Sequence, residues 1–574
     1  MILMKSGLFE KCAFFIQPAM VFLVMFGVSA YLSTIGVEPH HDGIMLKPAI
    51  DFAEGKILFK ESFSQYGALT VIIQGVAIKI FGEYLIVVRI LTAFFYGLTG
   101  FFLWLIWRKI LPGWLSSIAC FVWILLAPEY FTNLHFIPWS SIYALFFLVL
   151  SCYFLMLHIE RKSLIYVFLS GFAAAMAFWC RQPVGVFLCA SISVFLVMVH
   201  FMSGRMELKN LFSAVSVFLA GVVSVSSVFL VWLVFNGALH DWWIQQIYFA
   251  QLFAMKESSR QGLVGSVVNC LFVTAENSDI PRNTNIWILM PVICLFLLVK
   301  IIAIWLEAVL MTAGGKCSRP TGAIARFAAF LHSNIGRSKG SILQEYSSNG
   351  NGTAAGKPSL PEKELLVLAL VFVSLASWMQ YYPIPCTRHV FWAATPMVGL
   401  AVYFTYDLLS RNVRRFGAVL ALFVIFAFFG YDMISRAMEG IEKSNQKFVS
   451  FKKPNILAGM KLTEGGYKYY AEIQRIMDEY LKAHPGSEVI SIGQDALYLT
   501  FRHNENFHPL YVYWEDMVAL YPDYDRRLSS CIKEKKPMIV SNRMMYPGYR
   551  LVKFHSYVNI DGYTEMMISV PNGN

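Results

Sequence analysis

Long apolar runs broken by short polar stretches fill the first 434 positions. A helix that crosses a bilayer needs roughly 17–25 mostly apolar residues. About eleven runs qualify, near 13–32, 85–107, 114–132, 140–158, 164–180, 184–202, 211–236, 285–308, 364–382, 390–409 and 415–434. The run at 68–82 is short. Leu69, Ile72, Ile73, Val76 and Ile80 share one helical face there, while Thr70 and Gln74 lie elsewhere. This is the pattern of a helix lying in the membrane interface. A second amphipathic piece precedes it, with Leu46, Ala49, Ile50 and Ala53 at i, i+3, i+4 and i+7. Segment 33–84 is therefore expected to be an outer loop that carries juxtamembrane helices.

Basic residues orient these spans. With the N-terminus in the cytoplasm, Arg108 and Lys109, Arg161 and Lys162, Arg205 and Lys209, and Arg411, Arg414 and Arg415 all fall in inner loops, as the positive-inside rule requires. The inner loop 311–362 is also basic. It ends in SSNGNGTAAGKPSLP, a flexible-linker composition, and TGAIARFAAFLHS before it reads as an amphipathic helix on the inner leaflet. No small-residue cleavage signature follows the first run, which is read as a retained helix. An odd number of spans sends the C-terminus outside. From 435 to 574 the chain turns polar. A helix near 467–482, strands at EVISI, MIVS, YRLVKF and TEMMISV, and helices at DALYLTF and DYDRRLSSCIKEK indicate a small α/β layer domain. The expected architecture is a polytopic α-helical membrane domain, 1–434, followed by an extracytoplasmic α/β domain, 435–574.

Composition narrows the function. Of the 574 residues, 57% are hydrophobic and only 14% charged, against about a quarter charged in a soluble domain. A soluble globular enzyme and a disordered chain are excluded. The net charge of +11 marks cytoplasmic loops and not a nucleic-acid partner. The 10 cysteines are scattered and form no CxxC, so no disulfide framework or zinc site is implied. No GxGxxG or Walker sequence offers a nucleotide site.

Function in a membrane protein is sought where ionisable residues interrupt the apolar background. Three outer-face clusters stand out. The first is GVEPHHDG, with Glu38, His40, His41 and Asp42, followed by Lys60, Glu61, Gln65 and Tyr66 in LFKESFSQYG. Its acids suit a general base and an electrostatic or metal partner. The second is FWCRQPVG, where Arg181 and Gln182 separate two apolar runs. An arginine at headgroup level suits a phosphate, because its fork binds two oxygens. The third is QYYPIPCTRHVFWAATP, where Arg388 and His389 open a span. Glu129 and His135 read as a solvated loop, Arg89 and Lys300 as snorkelling ends of spans. Asp241, Trp242 and Trp243 read as an aromatic belt, within an outer loop 237–284 that could cover the site.

Together these clusters resemble the GT-C superfamily of membrane glycosyltransferases, closest to the branch of protein O-mannosyltransferases and lipid A aminoarabinose transferases. The resemblance rests on His41-Asp42-Gly43 after the first span, the element Gly55 to Glu61, the element Gln65 to Leu69, and the Y-P-x-P-x-x-x-H element from Tyr382 to His389. It implies a polyprenyl-phosphate sugar donor, an acceptor that is a surface glycan, lipid or protein, and transfer with inversion. Asp42, with His41 and Glu61, is then expected at the catalytic position. Lys60, Arg181, Arg388 and His389 are expected at the donor phosphate, and Gln65 and Tyr66 at the sugar or acceptor. Relatives carry an acid where this chain has Cys386, and paired acids where it has His-His-Asp. A divalent cation, magnesium or manganese, is left open by that difference. Two other readings stay in view: a polymerase or ligase acting on lipid-linked oligosaccharides, and a lipid or sugar transporter. The soluble mass at the C-terminus counts against the first. The lack of a visible internal repeat counts against the second.

Overall fold

The computed structural model describes residues 3–127, 136–202, 208–252, 289–313, 360–381, 387–410, 447–452, 455–493, 496–501, 514–541, 546–559 and 562–572, with the single residues 255 and 438. The helices in chain order are α1 (Leu3–Leu32), α2 (Pro39–Ala53), α3 (Ala68–Phe81), α4 (Leu85–Trp107), α5 (Gly113–Leu126), α6 (Ser140–Arg161), α7 (Leu164–Cys180), α8 (Gln182–Met202) and α9 (Leu208–Phe235). Then follow α10 (Leu239–Trp242), which runs into a π-helical turn Trp243–Tyr248, α11 (Leu289–Ala313), α12 (Glu362–Trp378) and α13 (Thr387–Ser410). Ten of the expected spans coincide with these helices; 415–434, Glu129, His135 and the TGAIARFAAFLHS segment lie outside the described residues. Leu85–Trp107, Ser140–Arg161, Gln182–Met202, Leu208–Phe235 and Leu289–Leu306 are long and apolar enough to cross a membrane. Large apolar side chains on their outer faces stay exposed, as Val228 and Phe212 do, which suits a surface solvated by lipid.

Close backbone contact holds the bundle, as expected where lipid offers no hydrophobic drive for helices to associate. A β-carbon at Gly171 would lie 2.1 Å from the Phe218 carbonyl oxygen, and one at Gly221 would lie 2.2 Å from that of Phe168. Helices α7 and α9 therefore touch main chain to main chain. Polar groups inside are paired across helices: Trp123 donates to the Thr395 hydroxyl at 3.0 Å, and Thr92 and Tyr143 share a bond of 2.7 Å. Lys300 does not snorkel. It is buried and pairs with Asp407 at 2.7 Å, joining α11 to α13.

At 14 residues, α3 is about 21 Å long, too short for a hydrocarbon core of about 30 Å. Its Val76 and Ile80 are exposed, while Thr70 and Gln74 are fully buried. Gln74 donates to the Pro138 carbonyl at 3.0 Å and to the Tyr143 hydroxyl at 3.3 Å. The apolar face turns outward and the polar face anchors the helix on the bundle.

The C-terminal part is a small sheet domain. A four-stranded sheet has the order β3-β4-β6-β5, with β3 (Val489–Ile492) and β4 (Met538–Ser541) parallel and β5 (Tyr549–Asn559) and β6 (Gly562–Pro571) an antiparallel hairpin. Sequence periodicity places these strands well. It misses the antiparallel pair β1 (Phe448–Ser450) and β2 (Lys461–Thr463), whose three residues each are too few to show alternation. Helices α14 (Glu464–Ala483), α15 (Trp514–Leu520) and α16 (Tyr524–Lys535) complete the domain. On α14, Tyr470, Ile473, Met477 and Tyr480 are buried as the 3.6-residue period requires. DALYLTF forms only a short 3₁₀ turn, Ala496–Thr500.

This domain is built onto the segment between α1 and α3. Gly36 donates to the Lys461 carbonyl at 2.9 Å, and Lys461 donates back to Thr34 at 2.6 Å. Leu46, Ala49 and Ile50 of α2 lie in one buried cluster with Tyr470, Ile473 and Leu497. A β-carbon at Gly43 would sit 2.1 Å from the Leu497 main-chain nitrogen, so only glycine allows this approach.

Candidate active site

The α2 helix starts as its sequence dictates. Glu38 is the N-cap, and its carboxylate accepts the His41 N–H, with Pro39 in the first turn. The same carboxylate lies 2.7 Å from His41 Nδ1. Burial works against the Glu38 charge, but the neighbouring His41 and His40 outweigh it and hold its pKa at about 2. The carboxylate is thus ionised and fixes the orientation of the His41 ring.

Asp42 is fully buried and so is Arg89 of α4. The Arg89 Nε donates to Asp42 Oδ1 at 3.0 Å, and Nη2 donates to Oδ2. Asp42 Oδ2 also accepts the Glu38 N–H at 2.8 Å. The remaining Arg89 nitrogen donates to the carbonyls of Ile35 and Gly36 at 3.1 and 3.0 Å. Arg89 does not snorkel: it is the centre of a buried network that sets the turn between α1 and α2. The Asp42 carboxylate, expected at the catalytic position, is taken up by that network in this arrangement.

His41 faces a different group. Its ring centroid is 4.5 Å from that of Trp139, which also meets Tyr66 at 6.0 Å and His389 at 6.0 Å. Trp392 of α13 closes the group, 5.6 Å from His389. Arg181, at the junction of α7 and α8, donates to the hydroxyl of Ser141, two residues beyond Trp139, and to the Gln380 carbonyl at 3.0 Å. His41, Tyr66, Arg181 and His389, taken from the three clusters singled out in the sequence, therefore converge on the segment 139–141. Arg388 is partly exposed in the first turn of α13, and Tyr382 to Cys386 lie outside the described residues.

Lys60 and Glu61 occupy the neighbouring loop 57–64 and are exposed. Glu61 accepts the Ile57 N–H at 2.6 Å, and Lys60 donates to the Asn236 carbonyl at 3.2 Å. Behind them, Asp51 is buried with Lys47 and also binds Lys56 at 2.6 Å and the Ser62 hydroxyl at 2.8 Å. Burial pushes the Lys47 amine down and Asp51 pulls it back; burial opposes the Lys56 charge too, but its bond to Asp51 raises it. This network ties the end of α2 to the loop. Gln65 is half-buried at the far end of that loop. Among the described residues no three His, Cys, Asp or Glu side chains converge as a metal ion would need. Asp42 is occupied by Arg89, Glu38 by His41, and Glu61 lies on another segment, so these residues do not fit a magnesium or manganese site.

Sequence reasoning misses Trp139, Arg89, Gln245 and Gln246. The signals were a charge inside LIVVRIL and an adjacent amide pair inside WWIQQIYF.

A family model described as dolichyl-phosphate-mannose-protein mannosyltransferase matches residues 68–235, from α3 to the end of α9. The match shows that this stretch is similar to that family. The matched stretch holds Arg89, Trp139 and Arg181 and leaves out His41, Asp42 and His389. Solved structures similar to this chain include the oligosaccharyltransferase of Archaeoglobus fulgidus in complex with zinc and sulfate (12% identity over 91% of this chain and 68% of that one, TM-score 0.46). Another is ArnT from Cupriavidus metallidurans bound to undecaprenyl phosphate (14% identity, 98% of both chains, TM-score 0.42). No curated protein matches this chain in sequence.

Proposed function

We propose that this protein is a membrane glycosyltransferase that moves one sugar from a polyprenyl phosphate to an acceptor hydroxyl on the extracytoplasmic face, with inversion. The observation that carries the reading is the convergence of His41, Arg181 and His389 on the segment 139–141 at one end of the bundle. The matched family acts, by its description, on dolichyl-phosphate mannose, a donor of the same chemical class. Lys109 and Glu160 pair at the opposite end, among Arg108, Arg161 and Lys162, and that basic end suits the cytoplasm.

In the proposed step the acceptor oxygen bonds to the anomeric carbon while the bond from that carbon to the phosphate oxygen breaks. The electron pair leaves with the lipid phosphate. Arg181, Arg388, His389 and Lys60 supply fixed positive charge and donors for it, and such preorganised groups act on charge that grows in the transition state. The acceptor proton passes to His41, which Glu38 orients in the manner of a carboxylate–imidazole pair. Asp42 serves through Arg89, by fixing the turn that carries Glu38 and His41. Glu61 shapes the Lys60 loop, and Gln65 and Tyr66 border the sugar.

Mass spectrometry of the host's surface glycans, glycolipids and glycoproteins tests this, comparing wild type, a deletion, and the deletion complemented with His41→Asn or Arg181→Gln. A loss equal to one sugar in all three mutants is expected. Unchanged products in the deletion would sink the reading.

A further inference from the structure

Gln245 is fully buried in the π-helical turn that follows α10, and every polar atom of its amide is used. Oε1 accepts the Ser64 N–H at 3.0 Å, while Nε2 donates to the Phe59 carbonyl at 2.7 Å and to the Tyr521 hydroxyl at 3.0 Å. One side chain thus holds both flanks of Lys60–Glu61 and reaches the C-terminal domain. The flank it holds is strained: Phe59 has φ +71°, a left-handed conformation that is costly for an aromatic residue and persists only where its surroundings impose it. Gln246 adds a second tie. It donates to the Ser64 carbonyl and accepts from Gln182, the neighbour of Arg181. Irregular π turns of this kind recur at functional positions. Burial raises the Asp241 carboxyl above its ordinary range, and His240 and then Lys60 pull it partly back, so the turn and the lysine share one electrostatic rim.

We infer that Gln245 is a positioning residue of the transfer reaction: it sets Lys60 for the donor phosphate and makes that setting depend on the docked C-terminal domain through Tyr521. The inference rests on the transferase reading above and adds a coupling between the domain and the site.

The test uses the full-length enzyme in detergent with two readouts. Hydrogen exchange of the 57–66 segment reports the positioning itself. Exchange there is expected to quicken at least tenfold in Gln245→Ala and measurably in Tyr521→Phe, and unchanged protection in Gln245→Ala overturns the proposal whether or not sugar is transferred. Binding of undecaprenyl phosphate, followed by native mass spectrometry, together with donor KM, reports the consequence. Tyr521→Phe, which removes one hydrogen bond, is expected to raise donor KM about fivefold with kcat little changed. Gln245→Ala is expected to weaken lipid-phosphate binding as much as Lys60→Met does, and the double variant no further, because both act at one point. Losses that multiply in the double variant mean a general structural role and overturn the proposal. Wild type that binds no lipid phosphate and transfers no sugar refutes the transferase reading, and the exchange result then stands alone.

Discussion

Replacing Arg89 by methionine strands the Asp42 carboxylate in a site closed to solvent. In the native protein that carboxylate takes two donors from Arg89 and one from the Glu38 main chain. Arg89→Met leaves it the last alone and also deprives the Ile35 and Gly36 carbonyls of their partner. Removing one member of a buried ion pair costs about 3–5 kcal/mol, or roughly two to four orders of magnitude in the folding equilibrium. Arg89→Met should therefore accumulate poorly in membranes and melt early in detergent. Asp42→Asn should be milder, since Arg89 keeps its carbonyl partners. The double variant Asp42→Leu with Arg89→Met removes both charges and should recover much of the stability, because an apolar pair of similar volume often matches a buried ion pair. Thermal melting of the purified variants and sugar transfer by the same samples give the two readouts. Wild-type melting in Arg89→Met would refute the energetic argument. A well-folded double variant that transfers sugar like the wild type would refute the anchoring role given to Asp42 and Arg89.

Other outcomes follow from the same structure. Gly43→Ala should undock α2 from the 3₁₀ turn at Ala496–Thr500, since its β-carbon would overlap the Leu497 nitrogen at 2.1 Å; limited proteolysis should then release C-terminal fragments that the wild type withholds. Gly171→Leu should abolish accumulation in membranes by forcing α7 from α9, whereas Val228→Ala on the exposed face should be neutral by immunoblot. The Glu38 carboxyl has a folded pKa of about 2 against an ordinary 4.5. Its stabilising effect is fully present above pH 4.5 and is lost as pH falls toward 2, so Glu38→Gln should differ most from wild type above 4.5 and converge with it near 2 in acid-unfolding curves.

Hydropathy and periodicity made the spans, α3 and the C-terminal strands legible, because each is written in local spacing. Three clusters of ionisable residues likewise pointed to His41, Arg181 and His389. What sequence could not show was pairing over distance. Asp42 and Arg89 are 47 positions apart, and a charge inside an apolar run looks the same whether it snorkels or meets a partner. Trp139 sits where an aromatic belt is the ordinary explanation, yet it is the centre of the group. Gln245 reads as a polar residue in an aromatic stretch until the fold brings Phe59, Ser64 and Tyr521 to it.

The main-chain bonds between Thr34, Gly36 and Lys461 also bear on how the protein is made. The segment between α1 and α3 leaves the ribosome early, but the strand that completes it is synthesised roughly 400 residues later, a delay of roughly 20–90 s at 5–20 residues per second. During that interval the turn holding Asp42 and Arg89 stands open at the membrane surface. A nascent chain stalled before residue 461 would present an unfinished loop, and quality control has a window in which to recognise it.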